Sequence, residues 1–146
     1  MLSNAMALLR FGRYALRFER AYKTDDWTDV RACFADDASY QVIGTGTVYD
    51  GITHGGDAVV TTLQRFVTEV DRKYDKRQPR AQGLPRFEQD TLVLGWSVRY
   101  VIGSDARIIT GTTRCRFQAG KIAMLHDAMN ADECARWISR AQAITT

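Results

Sequence analysis

The residue most able to do chemistry in this sequence is an aspartate in an apolar setting. Asp127 lies in "GKIAMLHDAMN", residues 120–130, a glycine turn followed by a run of mostly apolar strand formers. Burying an ionised carboxylate without a partner costs several kcal/mol or drives it to take up a proton. Strand alternation puts Ile122, Met124, His126 and Ala128 on one face, and Ala123, Leu125, Asp127 and Met129 on the other. Both faces are mostly apolar, so neither reads as an ordinary solvent face. One would line a pocket and the other would pack on something else, a partner subunit being one candidate. A buried Asp127 could bond the hydroxyl of Tyr14, Tyr40 or Tyr100 and simply fix the core. It could equally act as an acid or base on a ligand.

Little else in the sequence competes. His54 sits in a glycine-rich loop and reads as a loop residue without chemistry. No nucleophile–base pair and no phosphate-binding glycine loop can be read. Cys33, Cys115 and Cys134 have no metal-like spacing, and only His54 and His126 accompany them, so neither a zinc site nor any other cofactor is expected. An odd number of thiols without a disulfide pattern points to a reducing, cytoplasmic setting.

The elements that must position Asp127 follow from periodicity. With 146 residues, 45% of them hydrophobic and 25% charged, the chain suits one soluble domain. A net charge of +3 is too mild to imply nucleic acid, and no window approaches a membrane span. Ser3-Asn4-Ala5 ahead of Met6 reads as vector-derived sequence, so residues 1–5 are set aside and a single domain is expected over residues 6–146.

Leu8, Phe11, Tyr14, Ala15, Phe18 and Tyr22 form one helical stripe. Thr24 or Asp25 would cap a short second helix carrying Trp27 and Val30 inward. "ASYQVIG" reads as a strand, and a further short strand is expected around Thr47–Tyr49. Asp57 would cap a third helix bearing Val59, Leu63, Phe66, Val67, Val70 and Tyr74. The charged stretch "DRKYDKRQPRAQGLPR", with both prolines, reads as a solvated helix end and loop. Leu92 to Ile102 alternates as a half-buried strand, and "GSDA" turns it back. The returning strand places Ile109, Gly111, Thr113, Cys115 and Phe117 on one face. Asp132 would cap a last helix with Cys134, Trp137, Ile138 and Ala141. Early helices followed by antiparallel strands imply an α+β domain.

Three phrases carry a resemblance: "FADDA" at 34–38, "GGDAV" at 55–59 and "GKI" at 120–122. With them the chain resembles the nuclear transport factor 2-like superfamily, in its SnoaL-like and ketosteroid-isomerase-like branch. The resemblance implies a cystatin-like cone: a curved, mostly antiparallel sheet wrapped around a long N-terminal helix, with further helices on the concave face. Its activities are diverse, so fold alone is a poor guide to chemistry. On this alignment the ketosteroid isomerase base falls on Val42, its helix-1 tyrosine on Phe18 and its protonated aspartate near Thr113, so that machinery is absent. Limonene epoxide hydrolases have a water-activating aspartate where Asp127 stands, but their Arg-x-Asp companion falls near Val98-x-Tyr100. SnoaL-like cyclases similarly carry a His and an Asp where His126 and Asp127 lie.

The hydrolase likeness turns Asp127 inward and His126 outward, which defines an expected site. Tyr14 and Tyr40 would be its catalytic hydroxyls beside Asp127. Phe18, Val42, Trp96, Val98, Tyr100, Thr113, Cys115, Leu125 and Met129 would contact the substrate. The expected function is a pocket for a small hydrophobic molecule, worked on by a cofactor-free lyase, isomerase or hydrolase using Asp127. The alternatives are a non-catalytic ligand binder or a structural subunit. A homodimer through the outer sheet face is expected, and neither nucleic acid nor membrane as partner.

Overall fold

The structure, a computed structural model, describes residues 3–144; Met1 and Leu2 of the set-aside segment lie outside the described residues. Helix α1 (Asn4–Thr24) opens inside that segment, where the Ser3 hydroxyl accepts the Met6 N–H at 3.2 Å. Its inward line is Ala7, Tyr14 and Ala21, spaced by seven, with Phe11, Phe18 and Tyr22 alongside. Leu8 lies about a third of a turn off this line and is 39% exposed, unlike the stripe residue expected. Asp25 ends α1 rather than capping the next helix. It adopts φ 62°, its N–H bonds Ala21, and its carboxylate accepts the Trp27 indole N–H at 2.9 Å. At the start of the short α2 (Thr28–Arg31) the Asp26 carboxylate instead accepts the Thr28 N–H at 3.1 Å.

Strand β1 (Phe34–Ile43) begins earlier than "ASY", because "FADDA" is already extended. The strand expected around Thr47–Tyr49 is a turn. Asp50 accepts from both the N–H and the hydroxyl of Thr45, which knots that segment. The strand instead follows as β2 (Gly51–His54), antiparallel to β1. Helix α3 (Gly56–Glu69) is preceded by Gly55 rather than capped by Asp57. Asp57 is drawn to Arg31, which also holds Asp36 and so ties α2, β1 and α3 together. A 3-10 turn, Asp71–Lys73, follows α3.

The charged stretch read as a loop is largely a strand, β3 (Lys76–Glu88), antiparallel to β4 (Thr91–Ile102). It is the sheet edge, where Pro79 and Pro85 need no ladder donor on their outer side and charges discourage further pairing. β5 (Asp105–Gln118) returns along β4, and β6 (Lys121–Met129) inserts between β5 and β1, parallel to the latter. The six-stranded order is β2-β1-β6-β5-β4-β3.

A register shift in β6 breaks strict alternation. Phe117 pairs with Ile122 while Arg116 pairs with Met124, leaving Ala123 as an extra residue. This bulge turns Ile122 inward with Leu125, against the face expected for it, and leaves Met124, His126 and Ala128 together. Helix α4 (Ala131–Gln142) is capped by Asn130, not Asp132, and buries Cys134, Trp137, Ile138 and Ala141. Two apolar clusters result, with Met129 packed against both.

Candidate functional site

A cavity of about 250 Å³ opens on the concave side of the sheet, between α1, α3, α4 and strands β1 and β3 to β6. Its wall is predominantly aromatic and aliphatic, with Phe11, Phe18, Trp96, Val98, Met129 and Trp137 prominent. Asp127 faces into it. The carboxylate is enclosed by protein, yet Asp127 keeps partial accessibility because it lines this cavity.

Two strands supply its partners, and a third orients one of them. The Tyr40 hydroxyl, from β1, donates to Asp127 Oδ2 at 3.0 Å. The Thr113 hydroxyl, from β5, donates to Oδ1 at 2.6 Å. Trp96, from β4, donates its indole N–H to Thr113 Oγ1 at 2.8 Å. An indole nitrogen can only donate. Trp96 therefore fixes Thr113 as an acceptor toward β4, which leaves its proton for Asp127. Gly111 makes room for this, since a Cβ there would lie 2.4 Å from the Trp96 ring. Burial raises the Asp127 pKa, while the Thr113 and Tyr40 hydrogen bonds oppose the rise. The result is a carboxylate more basic than usual, aimed at an apolar space.

A second acid faces the same cavity from its other side. Asp71, only 4% exposed, lies in the 3-10 turn after α3. The Tyr100 hydroxyl donates to its Oδ1 at 2.7 Å, and Arg77 Nε stands 3.8 Å from Oδ2. Arg77 also donates to Glu19 at 2.6 Å and lies over the rings of Phe18 and Tyr22. Burial pushes the Asp71 pKa up to about 6 against the opposing field of Arg77 and the Tyr100 bond.

Of the residues expected at the site, Asp127, Tyr14, Tyr40, Phe18, Trp96, Val98, Tyr100, Thr113, Leu125 and Met129 line the cavity. Val42 and Cys115 do not. Val42 pairs beside Asp127 and Cys115 beside Leu125, but both are sealed in the core. Tyr14 lines the cavity without hydrogen-bonding Asp127; burial first, and the Asp127 charge second, raise its pKa. Tyr100 serves Asp71 instead.

His126 is half-buried on the outer face, where burial lowers its pKa. His54 is exposed at the end of β2. Sequence reasoning missed Asp71 and Arg77. Asp71 had a signal: Val67, Val70, Asp71 and Tyr74 keep helical i, i+3, i+4, i+7 spacing. Arg77 had none within its charged run. Among the described residues no cluster of His, Cys, Asp or Glu could hold a metal, and no helix is long and apolar enough to cross a membrane.

The long helix, the curved open sheet and the cavity on its concave side define an α+β cone. Comparison with known proteins agrees. The profile of the SnoaL-like domain matches residues 15–125, and the chain belongs to that family. An NTF2-like protein of unknown function from Burkholderia pseudomallei K96243 is similar over 89% of this chain and 98% of its own, with TM-score 0.68 and 16% identity. A protein provisionally named an isomerase, from Rhodopseudomonas palustris, is similar over 90% of this chain and 96% of its own, at TM-score 0.70 and 11% identity. An LEH-like epoxide hydrolase of M. tuberculosis is similar over 88% and 89%, at TM-score 0.61 and 17% identity. At these identities the likeness is one of fold. No curated protein matches the sequence.

Proposed function

We propose that the chain is an acid–base enzyme acting on a small hydrophobic molecule, as a lyase, isomerase or hydrolase, with Asp127 as general base. The observation that carries this reading is a carboxylate with a raised pKa, held by Thr113 and Tyr40 at the wall of an aromatic cavity. A base is most effective when its pKa approaches the working pH, and burial moves Asp127 that way. Tyr40 could return a proton within the same site. The isomerase and epoxide hydrolase names among the structural neighbours fit this class of chemistry.

The test uses purified protein in deuterium oxide with small epoxides, cyclic ketones and β-hydroxy ketones, followed by NMR. Hydration, α-proton exchange or dehydration of at least one compound is expected. Asp127→Asn should lower it by about a hundredfold or more while ligand affinity stays nearly constant. Equal conversion by the variant would reject Asp127 as the base.

One observation favours a second reading, a binder that converts nothing: each Asp127 oxygen already accepts a protein donor, as a purely holding carboxylate would. A ligand that co-purifies and remains chemically unchanged would support it. A second copy packed on the outer sheet face, around Met124, His126 and Ala128, completes the proposal.

A further inference from the structure

The cavity has a second polar end that the base does not use. Asp71, Arg77 and Tyr100 all line it, and so does Trp137, whose ring lies 4.7 Å from that of Tyr100, tilted by 36°. Two N–H donors here lack an acceptor among the described residues: Arg77 Nε and Trp137 Nε1. Both atoms are shielded from solvent, so water does not repay the missing bond. A buried donor left unpaired is destabilising, because its desolvation is not repaid. Arg77 satisfies its other end on Glu19 and its charge on Asp71, which leaves Nε as its unspent group. A modest rotation of either side chain, toward the cavity each already lines, would offer its N–H to a ligand oxygen.

The neighbours of these donors select the kind of oxygen. Asp71 Oδ1 is taken by Tyr100, while Oδ2 accepts no hydrogen bond among the described residues and stands 3.8 Å from Arg77 Nε. An acceptor therefore stands beside the free donor. A ligand carboxylate would meet the acids Asp71 and Glu19 in the cavity wall, where Arg77 is the one arginine and is already engaged by both. A ketone or ether could accept from Nε but would have nothing to give Asp71. A hydroxyl does both, accepting from the N–H and donating to Oδ2.

We propose that this end is a hydroxyl-recognition subsite, so that the ligand is an apolar molecule carrying an alcohol or phenol group away from Asp127. The inference rests on the cavity being a ligand site, as the proposed function holds, but not on Asp127 being catalytic. The two ends lie on different strands, Asp127 on β6 and Arg77 on β3. Both ends, with Tyr40, line the one cavity.

The test is direct binding of three probes of nearly equal shape: naphthalene, 2-naphthol and 2-naphthoate. Trp96 and Trp137 line the cavity, so their fluorescence reports occupancy. A purely apolar cavity would prefer naphthalene, whose transfer from water is the more favourable. The expected result is the reverse: 2-naphthol binds about tenfold tighter than naphthalene, the worth of a well-made hydrogen bond, and tighter than 2-naphthoate. Arg77→Lys keeps the charge facing Asp71 but removes the Nε–H, and should bring the naphthol-to-naphthalene ratio close to one. Trp137→Phe should reduce it in part.

If either variant fails to fold, the Arg77 Nε–H resonance of the unmodified protein decides: 2-naphthol should shift it and naphthalene should not. Several outcomes would overturn the proposal. They are equal affinities, tightest binding of 2-naphthoate, no naphthol binding at millimolar concentration, or an unmoved Nε–H resonance. Should naphthol selectivity vanish in Asp127→Asn yet survive in Arg77→Lys, the hydroxyl is read at Asp127. This subsite is then wrong while the proposed base stands. Conversely, an inactive panel with intact naphthol selectivity removes the enzyme and keeps the subsite.

Discussion

Asp127 and Asp71 line one cavity, and burial raises both pKa values, but the protein stabilises them differently. Asp127 is held only by neutral donors, Tyr40 and Thr113, delivered by adjacent strands of the sheet. Asp71, itself in the 3-10 turn, has one neutral donor, Tyr100 from β4, and the guanidinium of Arg77 from the edge strand β3. Neutral donors leave a carboxylate free to exchange its proton without breaking an ion pair. A cation ties the charge of the acid to the stability of the fold. The first arrangement suits a group that works; the second suits a group that holds a surface in place and offers it to a ligand.

The strongest way to break this comparison is to remove the cation. Arg77→Met would leave Asp71 buried without its charge partner, and a loss of about 3 kcal/mol in folding stability is expected at neutral pH by urea unfolding. Adding Asp71→Asn should recover much of that loss. If Arg77→Met costs no more than a surface substitution, Asp71 and Arg77 are not energetically coupled, and the contrast with Asp127 disappears.

pH gives a second route. The folded pKa of Asp71, about 6, lies above its ordinary 3.8, so between those values the folded state holds more protons than the unfolded chain. Stability from this group is therefore present at low pH and lost as pH rises through about 6, by about 3 kcal/mol across the window. Asp71→Asn should remove that downward slope from the stability–pH profile relative to the unaltered protein. An identical slope in the variant would mean that Asp71 titrates normally.

The Asp127 end should respond more gently. Thr113→Val deletes the shortest bond to Asp127 and leaves the Trp96 N–H without its acceptor, so about 2 kcal/mol of stability should be lost. Tyr40→Phe deletes a longer bond and orphans nothing else, for about 1 kcal/mol. Each removes a donor to the ionised form, so each should raise the Asp127 pKa further, as read from its carboxyl ¹³C shift. If the two variants cost the same, Trp96 does not orient Thr113.

Much of the fold was legible because its elements keep simple periods. The stripe from Phe11 to Tyr22, the alternation from Leu92 to Ile102 and the inward set of α4 all follow from side-chain spacing. Caps were less legible. Asp57 and Asp132 look like caps in sequence, but Gly55 and Asn130 precede the helices. An acidic residue in the first turn favours the helix dipole whether or not it caps. β3 was misread because charges and prolines signal a loop and an edge strand alike. Of the site, Asp127 and its aromatic surroundings could be read. Val42 and Cys115 were placed on the wall because alternation gives a residue's face but not what covers it.

By itself, then, the sequence determined which residues face inward along most of the regular helices and strands: amphipathic period is a local property, written in every few residues. It also marked Asp127 as an acid among apolar neighbours. Only the tertiary structure decided what meets that acid and what meets Asp71. Thr113 and Tyr40 reach Asp127, and Trp96 reaches Thr113, through strand register, and the bulge at Ala123 brings Ile122 to the inner face. Arg77 reaches Asp71 because the edge strand β3 turns that side chain inward, toward α1. Such contacts join residues far apart in the chain, and no local spacing encodes them.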